Sequence, residues 1–513
     1  MNNLSSFYRI SLIGLSLGAI LPGCGTEKTE TKPNIIYILA DDLGYGEPGC
    51  YGQEKIETPN IDALAANGLR FTQFYSGSPV CAPSRCMLLT GLHSGHAYIR
   101  SNDGLAERGP RDYLSVFKDP SLEGQRSMPA NTVTIGRLLQ DAGYKTGMVG
   151  KWGLGVPFSE STPNKQGFDY YYGYICQGQA HTHYPLHLYE NENRVFLNND
   201  TVAPHTKLDE GADPYLEESY AKFTLADYAN DRMFDALTGF VNENSENPFF
   251  LYWATPIPHV AIQAPKRWVD YYVKKFGDEE PYLGDNGYFP HRYPHAGYAA
   301  MISYLDEQVG LLVRQLKDLG IYENTLIMFT SDNGPTYNGG TDSPWFNSAG
   351  PLKSEYGRAK GYVREGGIRV PMIAHWPGKV KPGTETDHIS SAYDVMATVC
   401  EVVGIQPVEN TDGISFLPTL LGVKGQTEHE FLYWEFPSYQ GQQAVRLGKW
   451  KGIRENIFRD SLRVKLYDLE EDIQELNDVS AQNPEVVKKI ELIMKQEHTP
   501  AEVEGFRIKQ LGD

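Results

Sequence analysis

Cys81-Ala82-Pro83-Ser84-Arg85 is the stretch whose residue types and spacing point most directly to chemistry. Phe71-Thr72-Gln73-Phe74-Tyr75 before it reads as a strand, Ser76 to Pro79 as a loop, and Ser84 to Thr90 as a helix that Gly91 stops. Cys81 therefore falls at a strand-to-helix junction. Pro83 suits the first helical turn, where a missing N–H costs nothing, so the Cys81 side chain lies beside free N–H groups and the positive end of a helix. Arg85 lies within about one turn of it. Both features are expected to lower the thiol pKa and to attract an anion. The alternative for such a cysteine is a small buried residue, or half of a disulfide with Cys86 or Cys50.

Two acidic pairs form the second signal. Asp41-Asp42 ends the apolar run Ile35 to Ala40, and Asp332-Asn333 in Ser331-Asp332-Asn333-Gly334 ends the run Thr325 to Phe329. Open α/β sheets bind ligands beyond the carboxyl ends of their strands, so the two pairs are expected to converge. Three carboxylates and an amide oxygen near one point repel unless a hard divalent cation neutralises them, and an all-oxygen set suits Ca²⁺ better than Mg²⁺. Ordinary turn chemistry is the alternative for either pair alone.

Cys-x-Pro-Ser-Arg followed by Met87-Leu88-Leu89-Thr90-Gly91 resembles the signature of the formylglycine-dependent sulfatases, whose cysteine a maturation enzyme oxidises to an aldehyde. The resemblance implies a modified Cys81 as nucleophile towards the sulfur of a sulfate ester. It also implies Asp41, Asp42, Asp332 and Asn333 as ligands of one Ca²⁺, with an oxygen of modified Cys81 on the ion and Arg85 orienting the hydrated aldehyde. Gly150-Lys151-Trp152, Pro258-His259, and Lys360-Gly361 before Glu365-Gly366-Gly367 match further family segments. By that match Lys151 and Lys360 grip sulfate oxygens and His259 protonates the leaving alcohol. The resemblance runs from about Pro33 to about Val479.

One position departs from the family. Its His after Lys-Trp is Gly153 here, and glycine cannot move a proton. His181 or His183 is expected to fill that place or to contact substrate. Trp345, in Thr341-Asp342-Ser343-Pro344-Trp345, is expected to border the leaving-group pocket and offer a face to a sugar ring.

The elements that must position these residues alternate in type. Strands at 35–40, 71–75, 144–149, 249–253 and 325–329 are interleaved with helices at 58–67, 134–142, 225–241 and 301–316. Such alternation predicts a largely parallel sheet with helices on both faces. The family resemblance makes this an alkaline-phosphatase-like α/β/α sandwich. Segments 207–218 and 276–295 turn polar and read as surface insertions. Short strands after Pro418, with a late helix from Pro484 to Lys495, suggest a smaller C-terminal α+β domain with an antiparallel sheet. The expected organisation is a signal peptide over 1–24, a linker over 25–32, a catalytic domain over 33–415 and the smaller domain over 416–513.

Residues 1–24 carry one basic residue, Arg9, an apolar run from Ile10 to Leu21, and Leu21-Pro22-Gly23-Cys24. This resembles a bacterial lipoprotein signal, with lipidation at Cys24 tethering an exported protein to a membrane in the periplasm or at the cell surface; an ordinary signal peptide is the alternative. With 46 basic and 65 acidic residues the formal net charge is −19, which argues against nucleic acid and anionic membrane surfaces as partners. The expected partners are a sulfated carbohydrate, on galactose or N-acetylhexosamine units, and the enzyme that makes the formylglycine. The rival readings are a phosphoester or phosphonate hydrolase of the same superfamily, and a catalytically silent, surface-tethered glycan binder.

Overall fold

Alternation along the first strand, β1 (Asn34–Ala40), sorts the molecule into layers. Ile36, Ile38 and Ala40 face one core while Ile35, Tyr37 and Leu39 face another, as the period of two in a pleated strand requires. Both faces are therefore apolar, which only a strand covered on two sides can bury. A computed structural model describes Met1, residues 32–104, Asp119 and residues 122–513, with Lys32–Asp513 as one compact unit. The signal sequence expected over 1–24, including Cys24, lies outside the described residues apart from Met1.

The remaining strands are β2 (Leu69–Tyr75), β3 (Lys145–Lys151), β4 (Tyr170–Tyr174), β5 (His187–Glu190), β6 (Asn193–Phe196), β7 (Phe249–Ala254), β8 (Thr325–Ser331), β9 (Arg369–His375), β10 (Thr384–Thr386) and β11 (Ser390–Ser391). They form one sheet in the order β10-β2-β9-β8-β1-β7-β3-β4-β5-β6, with β11 also on β2. Helix α1 (Pro59–Ala66) and the helices Ala229–Glu243, Lys266–Phe276 and Pro294–Asp318 cover one face. Helix α2 (Cys81–Thr90) and the helices Ile135–Asp141 and Asp394–Val403 cover the other. The expected α/β/α sandwich is the observed one.

The sheet is more mixed than the strand–helix alternation predicts. β8, β1, β7, β3 and β4 are parallel neighbours, but β9 runs antiparallel to both β8 and β2. The reason is topological. Segment 332–364 does not cross back under the sheet, so the chain re-enters at the carboxyl edge and can only run the other way.

The C-terminal sheet is antiparallel throughout, with β12 (Leu432–Phe436), β13 (Gln442–Leu447), β14 (Trp450–Glu455) and β15 (Lys465–Asp468) in sequence order. One face, with Trp434, Phe436, Ala444 and Ile453, packs on Tyr75, Val80 and Ile368 of the larger layer. Its other face holds Ile490, Ile493 and Met494 of the helix Pro484–Gln496. Trp434 Nε1 donates to the Ser76 carbonyl at 2.9 Å, which ties this sheet to the loop that leads into Cys81. The segments read as surface insertions do lie largely at the surface, and they also meet each other: Leu208 and Tyr288 join Tyr220, Phe223 and Phe289 in a small core.

Candidate active site

Parallel strands deliver their ends to one edge, and the candidate residues lie at those ends. Asp41-Asp42 follows β1, Lys151 closes β3, His259 follows β7, and Asp332-Asn333 follows β8. Because β9 is antiparallel to β8, the loop before it, with Lys360, reaches the same edge, and β2 leads there to α2 and Cys81. The backbone N–H of Asp42 donates to Asp332 Oδ1 at 3.2 Å, so the two acidic pairs meet.

Opposite charges are matched one for one in this cluster. Arg85, fully buried, donates from Nε and Nη2 to Asp332 Oδ2 at 3.0 and 2.9 Å and from Nη2 to Asp41 Oδ2 at 3.3 Å. Lys151 Nζ lies 2.5 Å from Asp41 Oδ2, and Lys360 Nζ lies 2.7 and 2.8 Å from the two oxygens of Asp42. Burial alone raises a carboxyl pKa, yet Lys151, followed by His259 and Arg85, holds Asp41 well below the usual range. Asp332 is pushed up to about 6 by burial and by Asp41, against Arg85. Three carboxylates against three cations leave no net charge, so an added divalent ion turns the cluster positive towards an anionic substrate.

The donor set fits such an ion. Asn333 Nδ2 donates to Asp42 Oδ1 at 2.7 Å, which turns Asn333 Oδ1 inward, buried and without a hydrogen-bond partner. Ligand atoms of Asp41, Asp42, Cys81 and His259 all lie within 4.8 Å of one another. Buried oxygens around an orphaned amide oxygen suit a hard cation.

Cys81 is the first residue of α2, and its Sγ lies 3.3 Å from Asp41 Oδ1. Its thiol does not behave as its position at the helix start predicts. Burial, with the Asp41 carboxylate next, pushes its pKa up to about 12, and Lys151 and Lys360 offset this only in part. Arg85 does little for the thiol because Asp41 and Asp332 absorb its charge. As a thiol, residue 81 is a poor nucleophile. Cys50, Cys81, Cys86, Cys176 and Cys400 are all free, so neither disulfide considered for Cys81 forms.

His259 Nδ1 bonds the Val260 carbonyl at 2.5 Å, leaving Nε2 facing Asp42 Oδ2 at 3.7 Å. His181 stacks on it, centroids 5.1 Å apart and planes within 8°. Both histidines line a cavity of about 320 Å³ together with Cys81 and Lys360. His183 does not reach that cavity, which corrects the expectation for it. Its Nε2 bonds the His259 carbonyl at 3.0 Å and its Nδ1 meets Asn230 Nδ2 at 2.9 Å, so it braces the loop that carries His259. Trp345 is a second correction. It stacks on His295 at 4.2 Å and packs on Phe276 and Phe346, outside the cavity, because Asp342 caps its short helix and turns the ring into the helical layer.

His183 does not fill the place of the missing histidine, whereas His181 shares the cavity with Cys81 and His259. Gly153 has φ +75°, and a β-carbon there would lie 3.1 Å from Gln177 Oε1. The Gln177 amide takes up the space, and its backbone N–H is held by Gln125 Oε1 at 2.8 Å. Gln125, Gln177, Tyr288 and Tyr439 all line the cavity, and none of them was singled out from the sequence. Gln177 lies four residues before His181, a usable signal; Tyr288 sits in a polar segment that carries none. A larger hollow of about 510 Å³ near Arg446 and Asp387 contains none of the candidate residues.

The family model described as Sulfatase matches residues 33–405, and one described as N-sulphoglucosamine sulphohydrolase, C-terminal, matches residues 355–501. Arylsulfatase A of Homo sapiens is 33% identical over 444 residues, spanning 82% of this chain and 74% of that protein. N-acetylgalactosamine-6-O-sulfatase of Bacteroides thetaiotaomicron is 30% identical over 94% of this chain and 97% of its own length. The crystal structure of Ps i-CgsB in complex with k-i-k-neocarrahexaose superposes with a TM-score of 0.70 at 27% identity, covering 91% of this chain and 94% of that one.

Proposed function

Because the chain belongs to the sulfatase family and hydrolyses sulfate esters, we propose that its substrates are carbohydrate sulfate monoesters, cleaved with a formylglycine made from Cys81 and one bound Ca²⁺. The observation that carries this reading is the position of Cys81 Sγ, 3.3 Å from Asp41, inside a buried cluster of three carboxylates and three cations. The sugar is a galactose or N-acetylhexosamine sulfate, and the second is supported by the relative named N-acetylgalactosamine-6-O-sulfatase, which covers 94% of this chain.

Asp41, Asp42, Asp332 and Asn333 Oδ1 would hold the ion. A formylglycine at residue 81 would, once hydrated, provide the attacking oxygen, and a divalent ion bound by these residues would supply charge stabilisation there. Arg85 fixes Asp41 and Asp332 relative to each other and so orients residue 81. Lys151 and Lys360, held at the site by Asp41 and Asp42, are the cations that would bind the sulfate oxygens. His259 keeps the proton on Nδ1 for Val260 and presents Nε2 to the leaving oxygen. Burial first, then Lys360 and Lys151, holds its pKa well below that of a free imidazole. A sulfate anion between the two lysines offsets their charge and lets Nε2 carry a proton to the departing alcohol.

The same reading makes this an exported bacterial protein of the periplasm or cell surface, lipidated at Cys24, linked through 25–32 to a catalytic domain over 33–415 and a smaller domain over 416–513. It depends on a formylglycine-generating enzyme. Paired assays with the sulfate and phosphate esters of one alcohol test the reaction class. The expected kcat/KM ratio favours sulfate by about a hundredfold or more. A preference for phosphate supports the phosphoester hydrolase instead, and cleavage of neither supports a silent glycan binder.

A further inference from the structure

Three chain segments bring tyrosines to the mouth of the cavity beside Lys360. Tyr337 follows β8, Tyr356 and Tyr362 flank Lys360 in the loop before β9, and Tyr439 lies in the turn between β12 and β13. Their rings form one run: centroids are 5.1 Å apart for Tyr337 and Tyr356, 5.7 Å for Tyr356 and Tyr362, and 5.3 Å for Tyr362 and Tyr439. Tyr439 in turn stacks on Phe436 at 5.9 Å, and Tyr337, Phe436 and Tyr439 share the cavity wall with Cys81 and Lys360.

Two features set this run apart from ordinary packing. Tyr356 is 71% exposed and Tyr439 46% exposed, so large rings stay in water where folding gains little from them. Tyr439, Gln440 and Gly441 have φ of +49°, +73° and +73°, a left-handed path that an aromatic residue adopts only where its surroundings impose it. The turn is pinned by the 2.7 Å bond between Ser101 Oγ and Ser438 Oγ. It lays the Tyr439 ring on Gly361, where a β-carbon would come within 2.9 Å of the ring. The C-terminal sheet thus spends backbone strain to hold an aromatic face next to the residue that follows Lys360.

We propose that the run Tyr337, Tyr356, Tyr362 and Tyr439 is a subsite for a neutral pyranose ring, the unit joined to the sulfated sugar on its leaving side. This deepens the carbohydrate reading above and rests on it. A pyranose offers apolar C–H faces and a rim of hydroxyls, matching ring faces bordered by phenol groups. The negative faces of the rings disfavour a second sulfate here, so the recognised neighbour is uncharged. The enzyme therefore prefers a sulfated oligosaccharide to the sulfated monosaccharide.

The test compares N-acetylgalactosamine 6-sulfate with a tetrasaccharide that ends in that unit, using the mature protein and its Tyr356→Ala and Tyr439→Asn variants. Asparagine tolerates the left-handed backbone, so the second variant removes the ring without adding strain. The tetrasaccharide-to-monosaccharide ratio of kcat/KM is expected to fall about tenfold in each, through KM, and Tyr439→Phe to restore it. Unchanged ratios overturn the subsite. Saturation-transfer NMR with the desulfated tetrasaccharide reads binding apart from turnover. Contact with the protein, lost in Tyr356→Ala, is expected, and no contact with the unsubstituted protein overturns the subsite whatever the kinetics. Binding of the neutral tetrasaccharide without cleavage of either sulfated probe overturns the substrate reading and leaves the subsite standing.

Discussion

Cys81→Ala is expected to abolish sulfate ester hydrolysis, by about ten-thousandfold or more, because it removes the atom from which the nucleophile is made. Several buried groups would remain to bind substrate, so a lesser loss would mean that Lys151, Lys360 and His259 act on a nucleophile from elsewhere. The fold is expected to survive. Residue 81 is 1% exposed at the first position of α2, and losing one sulfur from such a site costs about 1 kcal/mol. Asp41, which loses the thiol contact, keeps Lys151 at 2.5 Å and Arg85 at 3.3 Å. Turnover of a sulfate ester and a thermal melt on the same preparation separate the two effects. An inactive variant with an unchanged melting temperature is the predicted pair.

His259→Ala carries the second large effect, and its size depends on the leaving group. An alkoxide leaving a sugar needs a proton in the transition state, and losing the donor costs about a hundredfold to ten-thousandfold. A nitrophenolate leaves without one, so the same variant is expected to lose far less on an aryl sulfate. The geometry gives His259 one free nitrogen, since Nδ1 is committed to Val260 and the ring is held by stacking on His181 and by His183 beneath its carbonyl. Equal losses on sugar and aryl sulfates would show that His259 holds the site together and moves no proton. The check is kcat/KM of the variant on both esters, relative to the unsubstituted protein.

How much of this was legible in the sequence differs from residue to residue for physical reasons. The continuous apolar run into Asp41-Asp42 marked a strand buried on both faces, and the stripe through Met301, Leu305, Val309, Leu312 and Leu316 marked the helix Pro294–Asp318. Periodicity reports which faces are buried, not which way a strand runs, so the antiparallel β9 was invisible. Positions fixed by strand ends were readable because topology alone carries Asp41, Lys151 and Asp332 to one edge. Positions fixed by distant packing were not. Tyr288 reaches the cavity from a polar insertion and Tyr439 from a turn of the C-terminal sheet, and neither lies in a pattern that a local reading detects. His183 and Trp345 misled because residue type alone does not say which way a ring points. Both turned out to have partners inside the fold, which is the commoner fate of a polar aromatic in a large α/β layer. The helix-start argument for Cys81 failed in its sign because burial of the thiol, and after it the Asp41 carboxylate 3.3 Å away, outweighs the helix dipole.

The central claim, that residue 81 acts as an oxidised group and not as a thiol, is tested most directly by mass spectrometry of the tryptic peptide containing Cys81, from protein purified out of a host with a maturation enzyme. A peptide that has lost one sulfur and two hydrogens and gained one oxygen, as oxidation of the side chain from –CH2SH to –CHO requires, and that reacts with a hydrazide probe, is the predicted result. An unmodified cysteine in a preparation that turns over sulfate esters at full rate would contradict it.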